Sequence, residues 1–193
     1  MNSVKSWIKI GNKSVLAEGR SGKRLISQLF KNPASGQLID YTLFDADFIS
    51  VIIFPLTTNG EVIAVRQFRM GIDRVSLELP GGNKKVEDKN FIETAERELR
   101  EETGYKAGQI IPLADKLWID PSSCTPYLYS FLALECKRTE KTEEDANEII
   151  ETVTMPQSKW IDMISGGKIS DMKTIAITLL AISHLSDKLI IST

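Results

Sequence analysis

The chain has 193 residues, which is enough for one ordinary domain or for a domain with a small extension. Its 24 basic and 26 acidic residues give a formal net charge of -2, and this balance excludes a general nucleic-acid surface and a basic membrane-binding patch. The sequence starts without a signal-peptide pattern and has no apolar run near the roughly 20 residues of a membrane helix. We therefore expect a cytoplasmic protein whose partner is a small molecule.

The N-terminal residues 1–45 are predicted to be mostly β-structure. Two strand-like runs, "SWIKIG" and "SVLAEG", flank Gly11-Asn12-Lys13 and predict a hairpin. The segment 38–56 alternates and then becomes continuously apolar, as strands do. A second hairpin is predicted around Asn59-Gly60, a dipeptide that tolerates positive φ in a tight turn.

An acidic helix is predicted from Phe91 to Thr103. Asn90 is a good N-cap, and Gly104 supplies a C-terminal stop. Three apolar residues recur every four positions and give the helix one stripe to bury against a sheet. They are Phe91, Ala95 and Leu99.

The rest of the chain continues the alternation of strands and helices. The pattern predicts two strands around a Pro-rich turn, a polar loop, a short strand and two helices. Their ranges are 116–121, 127–136, 137–148, 149–155, 157–164 and 171–187. The whole therefore predicts a mixed α+β fold.

Carboxylates must carry any chemistry in this chain. The single histidine, His184, excludes a site built on paired histidines. The cysteines, Cys124 and Cys136, lack the spacing of a zinc site, and we expect them to be buried thiols beside or within a strand.

Three carboxylates cluster on the predicted acidic helix. Glu98, Glu101 and Glu102 are three and four residues apart, so they project from neighbouring positions. Arg97 alone cannot balance them, which leaves a charge of roughly -2 unless a cation binds. Hard oxygen ligands suit Mg²⁺ or Mn²⁺, which bind phosphate oxygens at the same time. A solvated acidic surface is the alternative interpretation of such a helix.

The context of this helix resembles a known signature. Upstream, "ELPGG" follows a strand and offers glycines where a backbone can approach a ligand closely. Gly82 followed by Arg97-Glu98-Leu99, Glu101-Glu102 and Gly104-Tyr105 resembles the box G-x5-E-x7-R-E-U-x-E-E-x-G-U of the Nudix hydrolases, with U apolar. The segments "VRQFR", "LELPGG" and "GGKISDMKTIAITLLA" are similar to the ADP-ribose and nucleotide-sugar pyrophosphatase branch of that family.

The resemblance implies a fold and an assembly. We expect an α/β/α sandwich with a mixed central sheet, in which a β-rich extension at 1–45 precedes a catalytic domain at 46–193. In the resembling branch such an extension exchanges across a homodimer and helps to build the nucleobase pocket. Trp7 and Phe30 could stack on a base there, although an aromatic residue in a strand more often belongs to the core.

The resemblance also implies an activity. This is hydrolysis of the diphosphate in a nucleoside diphosphate linked to another moiety, above all ADP-ribose, giving AMP and ribose 5-phosphate, or a nucleotide sugar. Mg²⁺ would be the cofactor, with Mn²⁺ able to substitute. The alternatives are a house-cleaning nucleoside triphosphate pyrophosphatase and a catalytically inactive Nudix regulator that binds a ligand.

Metal ligands carry over from the family residue by residue. Glu98 and Glu102 match direct metal ligands, Glu101 matches a further ligand that takes part in catalysis, and the carbonyl of Gly81 matches a backbone ligand.

Other positions match roles around the metal. Arg69 matches a residue that contacts substrate phosphate, Gly82 lies where the loop approaches the substrate, and Arg97 matches the arginine that holds the loop and the glutamates in place. A general base is expected from the loop "EEDANEIIE". Glu148 fits that role best, with Glu144 and Asp145 as the other candidates.

The sequence departs from the box at its first glutamate. One extra residue lies between Gly82 and Arg97, so this position falls on Lys89 when counted back from Arg97 and on Asp88 when counted forward from Gly82. We expect an altered loop in which Glu87 or Asp88 replaces that glutamate.

Overall fold

The computed structural model describes residues 4–139 and 149–191. The chain divides into two compact units, one formed by residues 1–48 and 118–127 and the other by residues 49–117 and 128–193. The division of roles that we predicted between residues 1–45 and 46–193 stays a prediction.

The N-terminal unit is built on a three-stranded antiparallel sheet in the order β1-β2-β3. Its strands are β1 (Ile8–Glu18), β2 (Lys23–Lys31) and β3 (Leu38–Ala46), and a short 3-10 turn (Arg20–Gly22) joins the first two. The predicted hairpin at Gly11-Asn12-Lys13 is wrong, because residues 8–18 form one strand. Gly11 has a φ of 65° and lies where the pairing with β2 shifts register between Ile10 and Ser14. The glycine therefore makes a bulge and not a turn.

A buried carboxylate connects three parts of this unit. Asp45, which is 5% exposed, accepts hydrogen bonds from Lys13 Nζ at 2.6 Å, Arg24 Nη2 at 2.9 Å and the Thr125 hydroxyl. Arg24 also pairs with the exposed Asp47. Burial raises the pKa of Asp45, but the hydrogen bonds from Lys13 and Thr125 outweigh it and hold the pKa below its usual value. We call these five residues the Asp45 cluster.

The segment 118–127 lies beside β3 within the same unit. The Phe44 N–H donates to the Ser123 carbonyl at 2.8 Å, and the Thr125 N–H donates to the Phe44 carbonyl at 2.9 Å. On the sheet itself, the ring of Tyr41 meets Trp7 and Phe30 edge-on, at centroid distances of 6.0 and 5.7 Å. These two aromatic residues thus contact a third ring of the N-terminal unit.

The second unit contains a mixed sheet in the order β10-β5-β4-β9-β7, with β6 beside β5 and β8 beside β9. Strands β4 and β9 are parallel, whereas β5 pairs antiparallel with β4, β6 and β10. The strands are β4 (Ser50–Thr57), β5 (Glu61–Arg69), β6 (Arg74–Glu78), β7 (Tyr105–Lys106), β8 (Gln109–Trp118), β9 (Tyr127–Arg138) and β10 (Ile150–Pro156). The predicted turn at Asn59-Gly60 joins β4 to β5, with a φ of 76° at Gly60.

Helix α1 (Phe91–Thr103) begins and ends where the sequence predicted. Asn90 Oδ1 accepts the N–H groups of Ile92 and Glu93 at 2.9 and 3.0 Å, and Gly104 adopts a left-handed conformation with a φ of 73°. Both ends are therefore capped by the residue types that helices prefer.

The helices cover both faces of this sheet. Ala95 and Leu99 of α1 are fully buried against Val51 and Ile53 of β4. The alternate β4 residues, Ile52 and Phe54, point to the opposite face and are buried as well.

Two further helices, α2 (Gln157–Ser165) and α3 (Met172–Ile191), complete the unit. The buried Trp160 of α2 donates from its indole N–H to Thr178 of α3 at 3.0 Å.

Across the described ranges 4–139 and 149–191, no helix is long and apolar enough to cross a membrane. Burial of Cys136 was predicted correctly and raises the pKa of its thiol to about 12, whereas Cys124 is half-buried.

Candidate active site

The glycine loop is bonded to the start of β4. The Val51 N–H donates to the Gly82 carbonyl at 2.8 Å, and the Ile53 N–H donates to the Pro80 carbonyl at 3.0 Å. A Cβ on Gly81 would lie 2.2 Å from the Val51 carbonyl oxygen. Position 81 therefore accepts only glycine without a shift of the backbone, which keeps the loop tight against the sheet.

Gly82 lies against the carboxylate of Glu98. A Cβ at this position would be 2.5 Å from the carboxyl carbon and from both of its oxygens. The residue Glu98 is 8% exposed, and burial raises its pKa above the usual value in spite of its contact with Arg97. The missing side chain of Gly82 thus leaves room for a buried carboxylate at the base of the loop.

Arg97 connects the loop with the acidic face of α1. Its guanidinium donates two hydrogen bonds to the Asp88 carboxylate, from Nε at 3.1 Å and from Nη2 at 2.9 Å. Nη1 donates to Glu98 at 2.8 Å and to Glu101 at 3.0 Å, while Nη2 also reaches the Asn83 carbonyl at 2.9 Å. One planar cation therefore fixes two glutamates and two points of the loop.

Asp88 is the residue that meets Arg97 at the irregular position of the box. The Lys85 N–H donates to the Asp88 carboxylate at 2.9 Å, and the Asp88 N–H donates to the Lys85 carbonyl at 3.3 Å, so residues 85–88 form a turn. The Arg97 fork holds the pKa of this carboxyl well below its usual range. Glu87 and Lys89 are exposed. The extra residue is therefore accommodated in the turn, and of the two acids considered Asp88 holds the arginine.

A second cation, Lys85, contacts the acidic face of α1 at Glu101. Its Nζ is 3.2 Å from Oε2 and 3.4 Å from Oε1 of Glu101. We call Arg97, Lys85, Asp88, Glu98 and Glu101 the Arg97 cluster. Sequence reasoning missed Lys85 because its contact depends on the shape of the turn.

Glu102 is hydrogen-bonded to the glycine loop at Gly81. Its Oε2 accepts the Gly81 N–H at 2.9 Å, and its carbonyl accepts the Thr152 hydroxyl at 3.2 Å. The structure thus brings Gly81, Gly82, Glu98, Glu101 and Glu102 to one edge of α1. In residues 4–139 and 149–191 no three acidic, histidine or cysteine side chains are already arranged as a metal-binding group.

Arg69, the last residue of β5, forms an ion pair with Glu78. Its Nε donates to the two carboxylate oxygens of Glu78 at 3.1 and 3.0 Å, and its Nη2 donates to Oε2 at 2.6 Å. The Arg69 side chain is nevertheless 41% exposed. Burial lowers the pKa of this guanidinium, but Glu78 and the charges of Glu102 and Asp171 outweigh it. Glu78 is a partner that sequence reasoning missed, although it is the glutamate of the quoted "ELPGG".

The expected base lies outside the described residues. Glu148, Glu144 and Asp145 all fall within 140–148, so their assignment stays a prediction.

Comparison with known proteins places this geometry in a family. The NUDIX domain model matches residues 47–171. The chain is 31% identical over 127 residues to the ADP-ribose pyrophosphatase of Bacillus subtilis (strain 168), covering 65% of this chain and 67% of that protein. It is 32% identical over 135 residues to a GDP-mannose pyrophosphatase of Yersinia enterocolitica, covering 65% of this chain and 69% of that protein.

A solved structure agrees in fold. The crystal structure of an ADP compounds hydrolase superposes with a TM-score of 0.82 at 21% identity, over 97% of this chain and 98% of that one. The predicted α+β fold with a mixed sheet and an N-terminal β-rich region is confirmed.

The chain belongs to the Nudix family, as its box predicted. It is a pyrophosphohydrolase of that family.

Proposed function

We propose that this enzyme hydrolyses the diphosphate bond of ADP-ribose or of a nucleotide sugar in a reaction that depends on a divalent cation. The observation that carries the proposal is the acidic edge of α1, where Glu98, Glu101 and Glu102 meet a glycine loop. The names of the relatives, which are ADP-ribose and GDP-mannose pyrophosphatases, support the substrate class.

The donor set fits a hard cation such as Mg²⁺, with Mn²⁺ as a substitute. All of the proposed ligands are oxygens, namely the carboxylates of Glu98, Glu101 and Glu102 and the carbonyl of Gly81. Glu98 is a buried carboxylate, and burial raises its pKa above the usual value although Arg97 is bonded to it. A divalent ion at such a site activates water and neutralises phosphate oxygens.

The chain's own residues would bind and orient the reactants. Arg69 would bind the diphosphate through its guanidinium, because its side chain is 41% exposed even though it is paired with Glu78. Gly82 keeps the loop close to the substrate, and Arg97 holds the glutamates in position. Glu148 would take the proton of the attacking water as the P–O–P bond breaks, giving a nucleoside monophosphate and a phosphorylated remainder.

We further propose that the N-terminal extension forms a homodimer. Several apolar side chains of its sheet are exposed, and such surfaces on a sheet usually mark an interaction site. They include Val15, Leu16, Leu25, Leu38 and Tyr41, each at least 39% exposed. Sedimentation at micromolar concentration should give twice the mass of the chain, and a monomer would contradict this assembly. The cytoplasmic location stays a prediction.

The test of the activity is a substrate panel. ADP-ribose, GDP-mannose, UDP-glucose, NADH, diadenosine polyphosphates and nucleoside triphosphates are each incubated with Mg²⁺, Mn²⁺ or EDTA, and the released phosphomonoesters are measured with a coupled phosphatase. We expect cleavage of ADP-ribose or a sugar nucleotide that EDTA abolishes. Glu102→Gln is the control and should lose nearly all turnover.

Two outcomes would contradict the proposal. Preference for triphosphates would favour the house-cleaning activity, and no turnover on any compound would favour a regulator that only binds its ligand. Near-normal activity of Glu102→Gln would reject the metal-site assignment.

A further inference from the structure

Lys85 occupies an unusual place for a surface lysine. Its ammonium lies 3.2 and 3.4 Å from the two oxygens of Glu101, a carboxylate that also accepts Arg97 Nη1 at 3.0 Å. The side chain of Glu101 is 23% exposed, and that of Lys85 is 54% exposed. Glu101 is therefore held between two cations, and one of them remains accessible to solvent.

The irregular turn of the box positions this lysine. The backbone of Lys85 is fixed by two hydrogen bonds with Asp88, which in turn is fixed by the fork of Arg97. The side chain leaves the turn towards α1 and reaches a residue 16 positions further along the chain. The extra residue of the box thus belongs to the loop that brings a positive charge to the acidic edge.

The charge of Lys85 opposes that of an incoming cation. A divalent ion on Glu101 and an ammonium on the same carboxylate would repel each other at close range, and they would compete for the same oxygens. In the structure the ammonium already satisfies part of the charge that the ion would neutralise. The ion must therefore either displace the Lys85 ammonium from Glu101 or bind more weakly because the ammonium repels it.

We propose that Lys85 is an internal counter-ion of Glu101 that weakens divalent-cation binding and so sets the metal concentration that the enzyme requires. This inference rests on the metal site of the proposed function. Removing the charge should tighten binding by about two- to five-fold, the factor that corresponds to a partly exposed ion pair.

The test measures Mn²⁺ affinity directly, without substrate, by counting free Mn²⁺ with electron paramagnetic resonance during a titration. We expect Lys85→Gln to bind Mn²⁺ about two- to five-fold more tightly than the parent chain, and Lys85→Arg to restore the parent affinity. The gain should shrink at high salt, because screening weakens the contact between exposed charges. The substitutions keep the backbone hydrogen bonds of the turn, and melting curves in EDTA check that the variants fold.

Lys89→Gln is the matched control. It removes the same charge from the same loop, but Lys89 is 85% exposed on its side chain and pairs with Glu93, outside the Arg97 cluster. Its Mn²⁺ affinity should equal that of the parent. An equal gain in both variants would overturn the proposal, because the effect would then be one of net charge.

A double-mutant cycle with Glu101→Gln separates the remaining outcomes. If Lys85 acts through Glu101, Lys85→Gln should change Mn²⁺ affinity little once Glu101 is neutral. An undiminished gain in the double variant, or unchanged or weaker binding by Lys85→Gln alone, overturns the role of Lys85. Absence of Mn²⁺ binding by the parent chain would reject the proposed metal site itself, and the two failures are thus distinguishable.

Discussion

The Arg97 cluster and the Asp45 cluster are opposite solutions to the burial of charge. In the Arg97 cluster a cation is surrounded by acids, since Arg97 bonds to Asp88, Glu98 and Glu101. In the Asp45 cluster an acid is surrounded by donors, since Asp45 accepts from Lys13, Arg24 and Thr125. Both central groups are largely removed from solvent.

The two clusters differ in their balance of charge. Asp45 and Asp47 are matched by Lys13 and Arg24, whereas among the residues that the structure describes the three acids of the Arg97 cluster pair with two cations only, Arg97 and Lys85. Burial of charge costs free energy in both clusters, and in the unbalanced one part of that cost is not offset by an opposite charge. The pKa of Asp45 is lowered, whereas in the Arg97 cluster the pKa of Asp88 is lowered and that of Glu98 is raised by burial, so the cost of burying charge remains at Glu98. We propose that this excess of buried carboxylate serves to bind a cation, whereas the Asp45 cluster is a structural group of ion pairs.

The largest effect should come from Glu98→Gln in the unbalanced cluster. Activity should fall by at least about 100-fold, because a proposed ligand of the divalent cation is lost. Stability in EDTA at pH 7 should stay equal or rise, since burial disfavours the ionised form of Glu98. Turnover assays and urea denaturation measure the two quantities. Loss of activity together with a large loss of stability would mean that Glu98 has a structural role.

Arg97→Ala should cause the largest loss of stability. The variant leaves Asp88 and Glu98 buried without their counter-ion, and breaking such a pair costs about 3–5 kcal/mol. Urea denaturation in EDTA gives the free energy of unfolding. Arg100→Ala, an exposed arginine on the same helix, is the matched control and should cost under about 1 kcal/mol. Equal losses in the two variants would contradict the central role of Arg97.

Asp45→Asn should destabilise the N-terminal unit by about 1–3 kcal/mol, because buried donors lose their charged acceptor. Divalent cations should not change this loss, in contrast to the Arg97 cluster. The control is Asp47→Asn, which removes an acid that is 64% exposed from the same cluster and should cost under about 1 kcal/mol. A loss that Mg²⁺ reverses would show that the two clusters are not independent.

Local patterns predicted the parts of this fold that depend on neighbouring residues. Asn90 and Gly104 define the ends of α1 because each acts within one helical turn, and the box located Glu98, Glu101 and Glu102 on its edge. Gly11 was misread because a glycine serves a bulge as well as a turn, and only the pairing with β2 decides between them.

Contacts between distant segments could not be predicted from the sequence. The register of β5 and β6 places Glu78 opposite Val65 and Arg69 opposite Arg74, so the ion pair of Arg69 with Glu78 runs diagonally between the strands. The approach of Lys85 to Glu101 depends on how the turn absorbs one extra residue. The contact of Thr125 with Asp45 joins residues 80 positions apart, and no local spacing encodes it.

The pH dependence of stability should have opposite signs in the two clusters. The lowered pKa of Asp45 means that the unfolded chain binds its proton more readily, so the stabilisation by Asp45 is complete above about pH 5 and is lost as the pH falls below about 4. The raised pKa of Glu98 has the reverse consequence, and the metal-free protein loses stability as the pH rises above about 4.3. In urea denaturation with EDTA, the gap between the parent and Asp45→Asn should therefore narrow towards pH 3. Relative to the parent, Asp45→Asn should therefore lose stability as the pH rises, whereas Glu98→Gln should gain stability. If both variants lost stability relative to the parent as the pH rises, or both gained it, the contrast between a balanced and an unbalanced cluster would fail.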